Sequence, residues 1–255
     1  MIFMEKFYER LDVVLTRKKI SGFRSARRLL RKHCVELNGR QVFFSGEKIS
    51  LFTDELFIDE KKIELKNELY IMMNKVSGEI CSTVPSKNHL KTVYDNFPKE
   101  ILFPQNLNPL HSVGRLDFDT EGLLLFTTNG DLSHKLCTPE FHIEKKYFVE
   151  LENPVSKDEQ IFMTQKFSLG FELERYGNEK SFFTLPSDLE WISENRCVLA
   201  ISEGKFHQVK RMFLAFGNKV KYLKRIKMGG LELDENLKCG EWRFLKEEEI
   251  AALFL

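Results

Sequence analysis

Residues 114–132 read GRLDFDTEGLLLFTTNGDL, an acidic turn that runs into an apolar segment. The apolar residues Leu123 to Phe126 predict a buried strand that anchors this turn in a core. In extended backbone alternate side chains point the same way, so Arg115, Asp117 and Asp119 share one side of the turn. An arginine two positions from a carboxylate favours its ionised form, and a rigid anchor is what a catalytic carboxylate needs. Aspartates are also common in turns and helix caps, so the pattern taken alone favours a structural role.

The segments around this stretch predict a domain of interleaved strands and helices over residues 69–255. Its expected elements are a strand at Leu69–Lys75, a proline-rich stretch at 84–110 around the short helical TVYDNF, a strand at Leu123–Thr127, a helix from Lys157 to Phe167 opened by a capping box of Ser156 and Glu159, and a helix from Phe206 to Phe216 stopped by Gly217. Because strands and helices do not alternate with βαβ regularity, the expected fold class is α+β with a largely antiparallel sheet.

The first 66 residues predict a separate small module that opens with two helices. The first helix, over Tyr8–Arg17, carries Leu11, Val14 and Leu15 on one stripe. The second helix follows after a loop, with Ser25 as its expected N-cap.

This second helix, SARRLLRKH, is predicted to bury one side and to expose a basic one. Ala26, Leu29 and Leu30 face inward. The outward side and its flank hold basic residues only: Arg24, Arg27, Arg28, Arg31 and Lys32. The next segment, CVELNGRQVFF, predicts a hairpin around Asn38-Gly39, and the charged stretch Asp59–Glu68 is the expected linker to the second domain.

The net charge of +1 conceals two strongly basic segments. Residues 17–32 and residues 205–227 each contain eight basic residues and no acidic one, so the rest of the chain is acidic. Basic runs on helices are often solvated faces, but two acid-free runs on an acidic body predict binding to a polyanion, with nucleic acid the expected one.

Composition excludes several classes of protein. A hydrophobic fraction of 42% is enough for a packed core, and strongly apolar runs such as Leu123–Phe126 are too short to span a bilayer. The opening MIFMEKFYERLD lacks the apolar segment of a signal peptide. The five cysteines form no CxxC pair, which fits neither a disulfide framework nor a zinc ribbon. We therefore expect a cytoplasmic protein with no membrane association and no metal.

The stretch GRLDFDTEGLLLFTTNG closely resembles the catalytic motif of the bacterial pseudouridine synthases of the RsuA branch, which isomerise uridine in structured RNA. Four further stretches agree with that family in order and spacing: MNKVSG at 73–78, TVYDNFP at 92–98, EKKYFVEL at 144–151 and SEGKFHQVKRMF at 202–213. Residues 8–66 resemble the S4 RNA-binding domain, so the resemblance covers nearly the whole chain. SEGKFHQVKRMF is most similar to synthases acting on 16S rRNA, whereas relatives acting on large-subunit RNA tend to read NRQVRRM there.

The resemblance implies roles for individual residues. Asp117 is the implied catalytic aspartate, Tyr147 the tyrosine that packs against the target base, and Lys210 the cation that pairs with the aspartate. Val209 is the implied apolar neighbour of Lys210, and Val76 stands where the family's first motif usually has proline. The expected RNA-contacting residues are Arg115, Arg24, Arg27, Arg28, Arg31, Lys32, Asn74, Lys75, His207, Gln208 and Arg211.

The implied reaction breaks the N1–C1′ bond of uridine, rotates the base and joins C5 to C1′. It involves no redox change and no group transfer, so no cofactor is expected, and the chain has no P-loop and no HExxH. The carboxylate acts at the sugar as a nucleophile or as a base toward C2′–H, and the sequence leaves both open. The expected partner is structured rRNA or a pre-ribosomal particle, with no protein partner and a monomeric enzyme.

Two other function classes compete with this interpretation. One is a non-catalytic S4-type RNA-binding or ribosome-associated protein that keeps the synthase scaffold. The other treats Asp117 and Asp119 as the acid–base pair of a retaining glycosidase. The two basic segments fit a glycosidase poorly, and Trp191 and Trp242 are the only tryptophans available for stacking on a sugar.

Overall fold

The structure is a computed structural model that describes residues 8–22, 24–50, 54–63, 65, 68–83, 90–104 and 107–254. The chain divides into two compact units, one of Met1–Leu69 with Phe97–Leu110 and one of Tyr70–Asn96 with His111–Leu255. The sequence placed residues 97–110 in the second domain, but the structure groups them with the first unit. Prolines interrupt helices and strands without indicating which core a segment joins, so this difference has no signal in the sequence. Residues 84–89 of the proline-rich stretch lie outside the described residues.

The first unit contains short elements, and residues between Leu11 and Leu65 form its apolar core. The elements are β1 (Tyr8–Arg10), α1 (Leu11–Arg17), α2 (Ala26–Lys32), β2 (Val35–Leu37), β3 (Arg40–Gln41), β4 (Lys48–Ser50), β5 (Leu56–Ile58), β6 (Lys61–Ile63) and α3 (Lys99–Leu102). Four strands form an antiparallel sheet in the order β3-β2-β5-β6, and β1 pairs with β4. Leu11, Val14 and Leu15 are fully buried in the core, which confirms the predicted stripe.

Two details of the first unit differ from the sequence prediction. Helix α1 begins at Leu11 because Tyr8–Arg10 pairs with β4. Ser25 occupies the N-cap position of α2, but its hydroxyl donates to the Gly22 carbonyl at 2.8 Å and caps no helical N–H. The hairpin is confirmed, with positive φ at both Asn38 and Gly39 as a type I′ turn requires.

The basic side of α2 is exposed as predicted. Ala26 and Leu30 are buried, and Leu29 packs against the same core. The exposed basic side chains are Arg24, Arg27, Arg28, Arg31 and Lys32. We call these five residues the α2 basic row.

The second unit is built on a nine-stranded sheet. Its strands are β7 (Tyr70–Lys75), β8 (His111–Ser112), β9 (Glu121–Thr127), β10 (Lys145–Leu151), β13 (Asp188–Trp191), β14 (Arg196–Ile201), β15 (Val220–Met228), β16 (Leu231–Glu232) and β17 (Trp242–Phe244). The order is β13-β14-β10-β15-β9-β7-β17, with β16 beside β15 and β8 beside β9. Among the pairings that the structure describes, β9 with β15 is parallel and the others are antiparallel. Mixed α/β content with a mostly antiparallel sheet is therefore confirmed.

Helices and one small hairpin complete the second unit. They are α4 (Gly130–Cys137), α5 (Lys157–Leu169), α6 (Gln208–Leu214), α7 (Glu247–Ala252), 3₁₀ turns at Val93–Asn96 and Pro139–Phe141, and the hairpin of β11 (Glu172–Leu173) and β12 (Phe182–Phe183). The predicted capping box of Ser156 and Glu159 is present at α5. Helix α6 begins two residues later than predicted, because His207 adopts a left-handed conformation with φ of 48°. In the described part of the chain, no helix is long and apolar enough to cross a membrane.

Gly122 allows the parallel pairing of β9 with β15. It has φ of +97°, and a Cβ at this position would lie 2.2 Å from the Arg225 carbonyl oxygen. Any other residue would therefore force the two strands apart. The glycine of the DTEG sequence thus sets the position of the acidic turn against β15.

Candidate active site

A buried lysine holds the backbone of the acidic turn. Lys75, at the end of β7, is fully buried. Its Nζ donates to the carbonyl oxygens of Asp117 at 3.2 Å, Phe118 at 3.3 Å, Thr120 at 2.9 Å and Val76 at 2.9 Å. Burial lowers the pKa of Lys75, although nearby acidic groups oppose the shift. One ammonium group therefore holds the backbone of the turn from Asp117 to Thr120.

A second lysine contacts the carboxylates of the turn. Lys210 on α6 places its Nζ 2.9 Å from Asp117 Oδ2 and 2.5 Å from Asp119 Oδ1. Burial opposes the charged form of Lys210, but hydrogen bonds to Asp119 and Asp117 raise its pKa above the usual range. Burial likewise opposes the charged form of Asp119, and the Lys210 contact lowers the pKa of that carboxyl. His207 Nε2 lies 3.6 Å from Asp117 Oδ1.

The carboxylate of Asp117 faces a small cleft with an apolar side. The cleft is open to solvent, and its cavity volume is about 70 Å³. Tyr147 lies on β10 with only 7% of its surface exposed. The lining residues are Arg115, Leu116, Asp117, Thr120, Tyr147, Ile201, Gly204, Lys205, His207, Gln208, Val209 and Leu223.

The structure brings the predicted catalytic residues together. Asp117 and Tyr147 line the same cleft, and Lys210 contacts Asp117 from α6. Arg115 also lines the cleft and is exposed, but no ion pair joins it to Asp117 among these described side chains. Lys210 therefore supplies the contacting cation that the sequence pattern had attributed to Arg115.

Four residues predicted to contact RNA are instead buried. Lys75 clamps the acidic turn, and Asn74, 5% exposed, donates through Nδ2 to the Leu237 carbonyl at 2.8 Å. Gln208 is 3% exposed and Arg211 is 5% exposed. Their hydrogen bonds in the structure are to other groups of the protein, which gives all four a structural role. Their contact with RNA stays a prediction.

Gln208 belongs to a network that positions the start of α6. Its Nε2 donates to Glu203 Oε1 at 2.6 Å, and its Oε1 accepts from the Lys205 backbone N–H at 3.0 Å. Glu203 Oε1 also accepts from the Leu185 N–H at 2.9 Å. Glu203 is buried and accepts hydrogen bonds from both Leu185 and Gln208. The sequence pattern gives no sign of these contacts.

Arg211 fastens α6 to the β11–β12 hairpin. Its Nη2 donates to the Glu174 carbonyl at 2.8 Å, and its guanidinium lies 4.9 Å from the centroid of the Phe182 ring. The Lys205 ammonium lies 3.7 Å from the same ring centroid. These contacts keep the helix that carries Lys210 in place.

The geometry disfavours a glycosidase. A retaining glycosidase needs one protonated and one ionised carboxyl, about 5–5.5 Å apart, with the scissile bond between them. Here a single Lys210 ammonium contacts both Asp117 and Asp119. The ammonium therefore lies between the two carboxyl groups, where a glycosidase needs room for the scissile bond.

Comparisons with known proteins agree with this site. The model of the RNA pseudouridylate synthase family matches residues 69–215. A relative from Salmonella typhimurium named ribosomal small subunit pseudouridine synthase A is 44% identical over 225 residues, which is 86% of this chain and 91% of the relative. A relative of the same name from Yersinia pestis is 38% identical over 244 residues, or 96% of this chain and 97% of the relative. A crystal structure described as pseudouridylate synthase superposes with a TM-score of 0.62 at 36% identity, covering 96% of this chain and 99% of that one.

Proposed function

The chain belongs to the family of RNA pseudouridylate synthases, and from that premise we propose that it converts a uridine of small-subunit ribosomal RNA to pseudouridine. The Salmonella typhimurium and Yersinia pestis relatives are both named for the small ribosomal subunit, which supports this choice of RNA. In the reaction the N1–C1′ bond breaks and a C5–C1′ bond forms, while C5 loses a proton and N1 gains one. Substrate and product are therefore isomers, and we propose that no cofactor takes part.

We assign the chemistry at the sugar to Asp117. The observation that carries this assignment is the Lys210 ammonium 2.9 Å from the Asp117 carboxylate, on a turn whose carbonyls Lys75 holds. A carboxylate fixed in this way attacks C1′ as a nucleophile or removes the C2′ proton as a base. Both routes need a carboxylate oxygen in a fixed position, and the Lys210 contact holds it there.

We assign the contact with the base to Tyr147 and its apolar neighbours. Tyr147, Val209 and Leu223 line the same cleft as Asp117. A base that has left C1′ must be retained while it turns, and flat apolar side chains suit that purpose. A uridine inside an RNA helix must first be flipped out, at a cost of about a few kcal/mol. Contacts between the protein and other parts of the RNA have to offset this cost.

We propose that residues 1–66 form an S4-type RNA-binding domain and that residues 69–255 form the catalytic domain. The exposed α2 basic row supports the first part, because five cations without an acidic neighbour suit a run of phosphates. We propose that the enzyme is a monomer, because uridine isomerisation at the proposed site does not require a second subunit. Because the proposed substrate is ribosomal RNA, free or in an assembling subunit, we also propose that the enzyme acts in the cytoplasm.

Ribosomal RNA from a strain that lacks the gene tests this proposal. Carbodiimide labelling followed by mass spectrometry locates every pseudouridine, and we expect one to be missing from 16S rRNA and restored by the wild-type gene. Loss of a pseudouridine from large-subunit RNA instead would contradict the proposed substrate. An unchanged set in both RNAs would support the non-catalytic RNA-binding alternative.

A further inference from the structure

An exposed aromatic ring stands next to the catalytic carboxylate. The Phe206 ring stacks on the His207 imidazole, with centroids 3.8 Å apart and planes 15° from parallel. Phe206 is 51% exposed. His207 Nε2 in turn lies 3.6 Å from Asp117 Oδ1. Phe206 is thus separated from Asp117 by a single ring.

The backbone beneath this pair is firmly held. His207 adopts φ of 48°, a conformation that is uncommon for residues other than glycine. Its carbonyl accepts from the Arg211 N–H at 2.9 Å, and the Gln208 N–H donates to the Lys205 carbonyl at 3.1 Å. Buried hydrogen bonds between Glu203 and Gln208 close the same turn. The exposed ring is therefore displayed on a rigid turn at the start of α6.

The surroundings of the ring favour a nucleic acid over an apolar protein surface. Lys205 precedes Phe206, has a half-exposed side chain and lines the cleft. Arg115 is exposed on the same cleft. Both cations line the cleft that His207 lines, and the exposed ring stacks on His207. Cations together with an exposed aromatic ring are the combination that binds single-stranded RNA, with phosphates on the cations and a base on the ring.

We propose that Phe206 is a stacking platform for the nucleobase that adjoins the flipped uridine. The inference rests on the proposed function, because a stacking platform is needed only when a uridine is extruded from the RNA. When a base leaves the stack, its neighbour loses a stacking partner on one face. The outer face of Phe206 replaces that partner one ring away from Asp117, so that the neighbouring nucleotide and the reacting nucleotide are held by the same turn.

Base stacking on Phe206 is tested with short oligouridines that contain one 2-aminopurine, placed on the 5′ side or the 3′ side of the central uridine. Stacking quenches 2-aminopurine fluorescence, so we expect the wild-type protein to quench one of the two probes. F206Y and F206W should preserve the quenching, since they keep a flat ring. F206L should abolish most of it and weaken binding of that probe about 5-fold to 100-fold, the range that stacking on one base gives. Phe141 is 47% exposed and lies on another element, the 3₁₀ turn Pro139–Phe141, so F141L is the matched control and should behave as wild type.

Two outcomes would overturn the proposal: no quenching of either probe by the wild-type protein, or equal quenching by F206L and the wild type. Pseudouridine formation in small-subunit rRNA is measured in parallel with the wild-type protein. If no pseudouridine forms, the proposed substrate is wrong, and the quenching result still stands. If F206L quenches as the wild type does while pseudouridine forms, the stacking proposal is wrong and the proposed substrate stands.

Discussion

Lys210 contacts two carboxylates at once, and this double contact explains why its charge persists in a half-buried position. Its partners Asp117 and Asp119 both lie within 3 Å of Nζ. Asp119 occupies one side of the ammonium and leaves Asp117 Oδ1 to face the cleft and His207. We therefore regard Asp119 as a residue that positions Lys210.

Replacing Lys210 by methionine tests the pairing. K210M should lower turnover about 100-fold or more, the usual cost of removing one preorganised electrostatic contact from a transition state. K210R is the matched control and should retain most of the activity. Steady-state kinetics of the two variants measures the effect, and unchanged turnover in K210M would show that the pairing does not matter.

Lys145 provides a separate test of electrostatics inside the second unit. It is 9% exposed and its Nζ donates to the Ile143 carbonyl at 3.0 Å. Burial, with the nearby Arg225 charge, lowers its pKa to about 8, against the opposing effects of Cys137 and Glu203. Between that value and the ordinary one of 10.5 the unfolded chain binds more protons than the folded chain, so stability rises with pH.

The difference in free energy of unfolding between the wild type and K145M should follow this window. We expect the wild type to gain about 2–3 kcal/mol relative to K145M as the pH rises from below 8 to above 10.5. Denaturant unfolding of both proteins across this range measures the difference. A difference that is independent of pH would mean that Lys145 titrates normally in the folded chain.

At the scale of elements, the acidic turn depends on its neighbours more than on its own residues. Lys75 supplies hydrogen bonds to three carbonyls of the turn, and Gly122 sets its distance from β15. K75M keeps the length of the side chain and removes the donor. It should lower the free energy of unfolding by about 2–4 kcal/mol, because buried carbonyls lose their partner. It should also lower kcat more than it raises KM, since Asp117 loses its fixed position.

The matched control for K75M is K135M, on the exposed side of α4. Its effect on unfolding should stay within about 0.5 kcal/mol, as is usual for surface changes. Thermal or denaturant unfolding together with steady-state kinetics distinguishes the two variants. Full activity and stability in K75M would show that the turn holds its conformation without the clamp.

The elements also show how far sequence patterns extend. Periodicity and capping signals predicted β7, β9 and α5, because each has its own apolar pattern or cap. They predicted α6 four residues too long, two at each end. Its start was missed because the left-handed His207 depends on the Glu203–Gln208 contact and on Asp117, which are remote in sequence or invisible to periodicity. The burial of Lys75 and Arg211 was missed for the same reason: a motif match identifies a residue without indicating where its side chain is directed.

For the whole molecule, the proposed division of labour predicts a specific salt dependence. Changing Arg27, Arg28 and Arg31 to alanine removes three exposed charges from the α2 basic row. The slope of log affinity for rRNA against log salt should become about 2–3 units shallower, from about 0.7–0.9 for each lost phosphate contact. Turnover at saturating RNA should change less than affinity does, because these residues lie in the unit without the catalytic motif.

A variant in which Lys135, Lys157 and Lys166 are all changed to alanine is the control for this measurement. It also removes three exposed charges, but from positions outside the two basic segments, so the slope should stay close to the wild-type value. An unchanged slope in the arginine variant would show that the RNA-docking surface lies elsewhere, and residues 205–227 would be the next candidate.

The central claim is that Asp117 performs the isomerisation, and D117N tests it most directly. The substitution removes the charge and keeps the shape, so the Lys75 clamp on the backbone stays intact. Purified D117N and wild-type protein are incubated with small-subunit rRNA, and pseudouridine is measured by mass spectrometry alongside RNA affinity. We predict no product from D117N over a time in which the wild type reaches completion, with RNA affinity changed by no more than a few-fold. Pseudouridine formed by D117N at a rate comparable to the wild type would contradict the account.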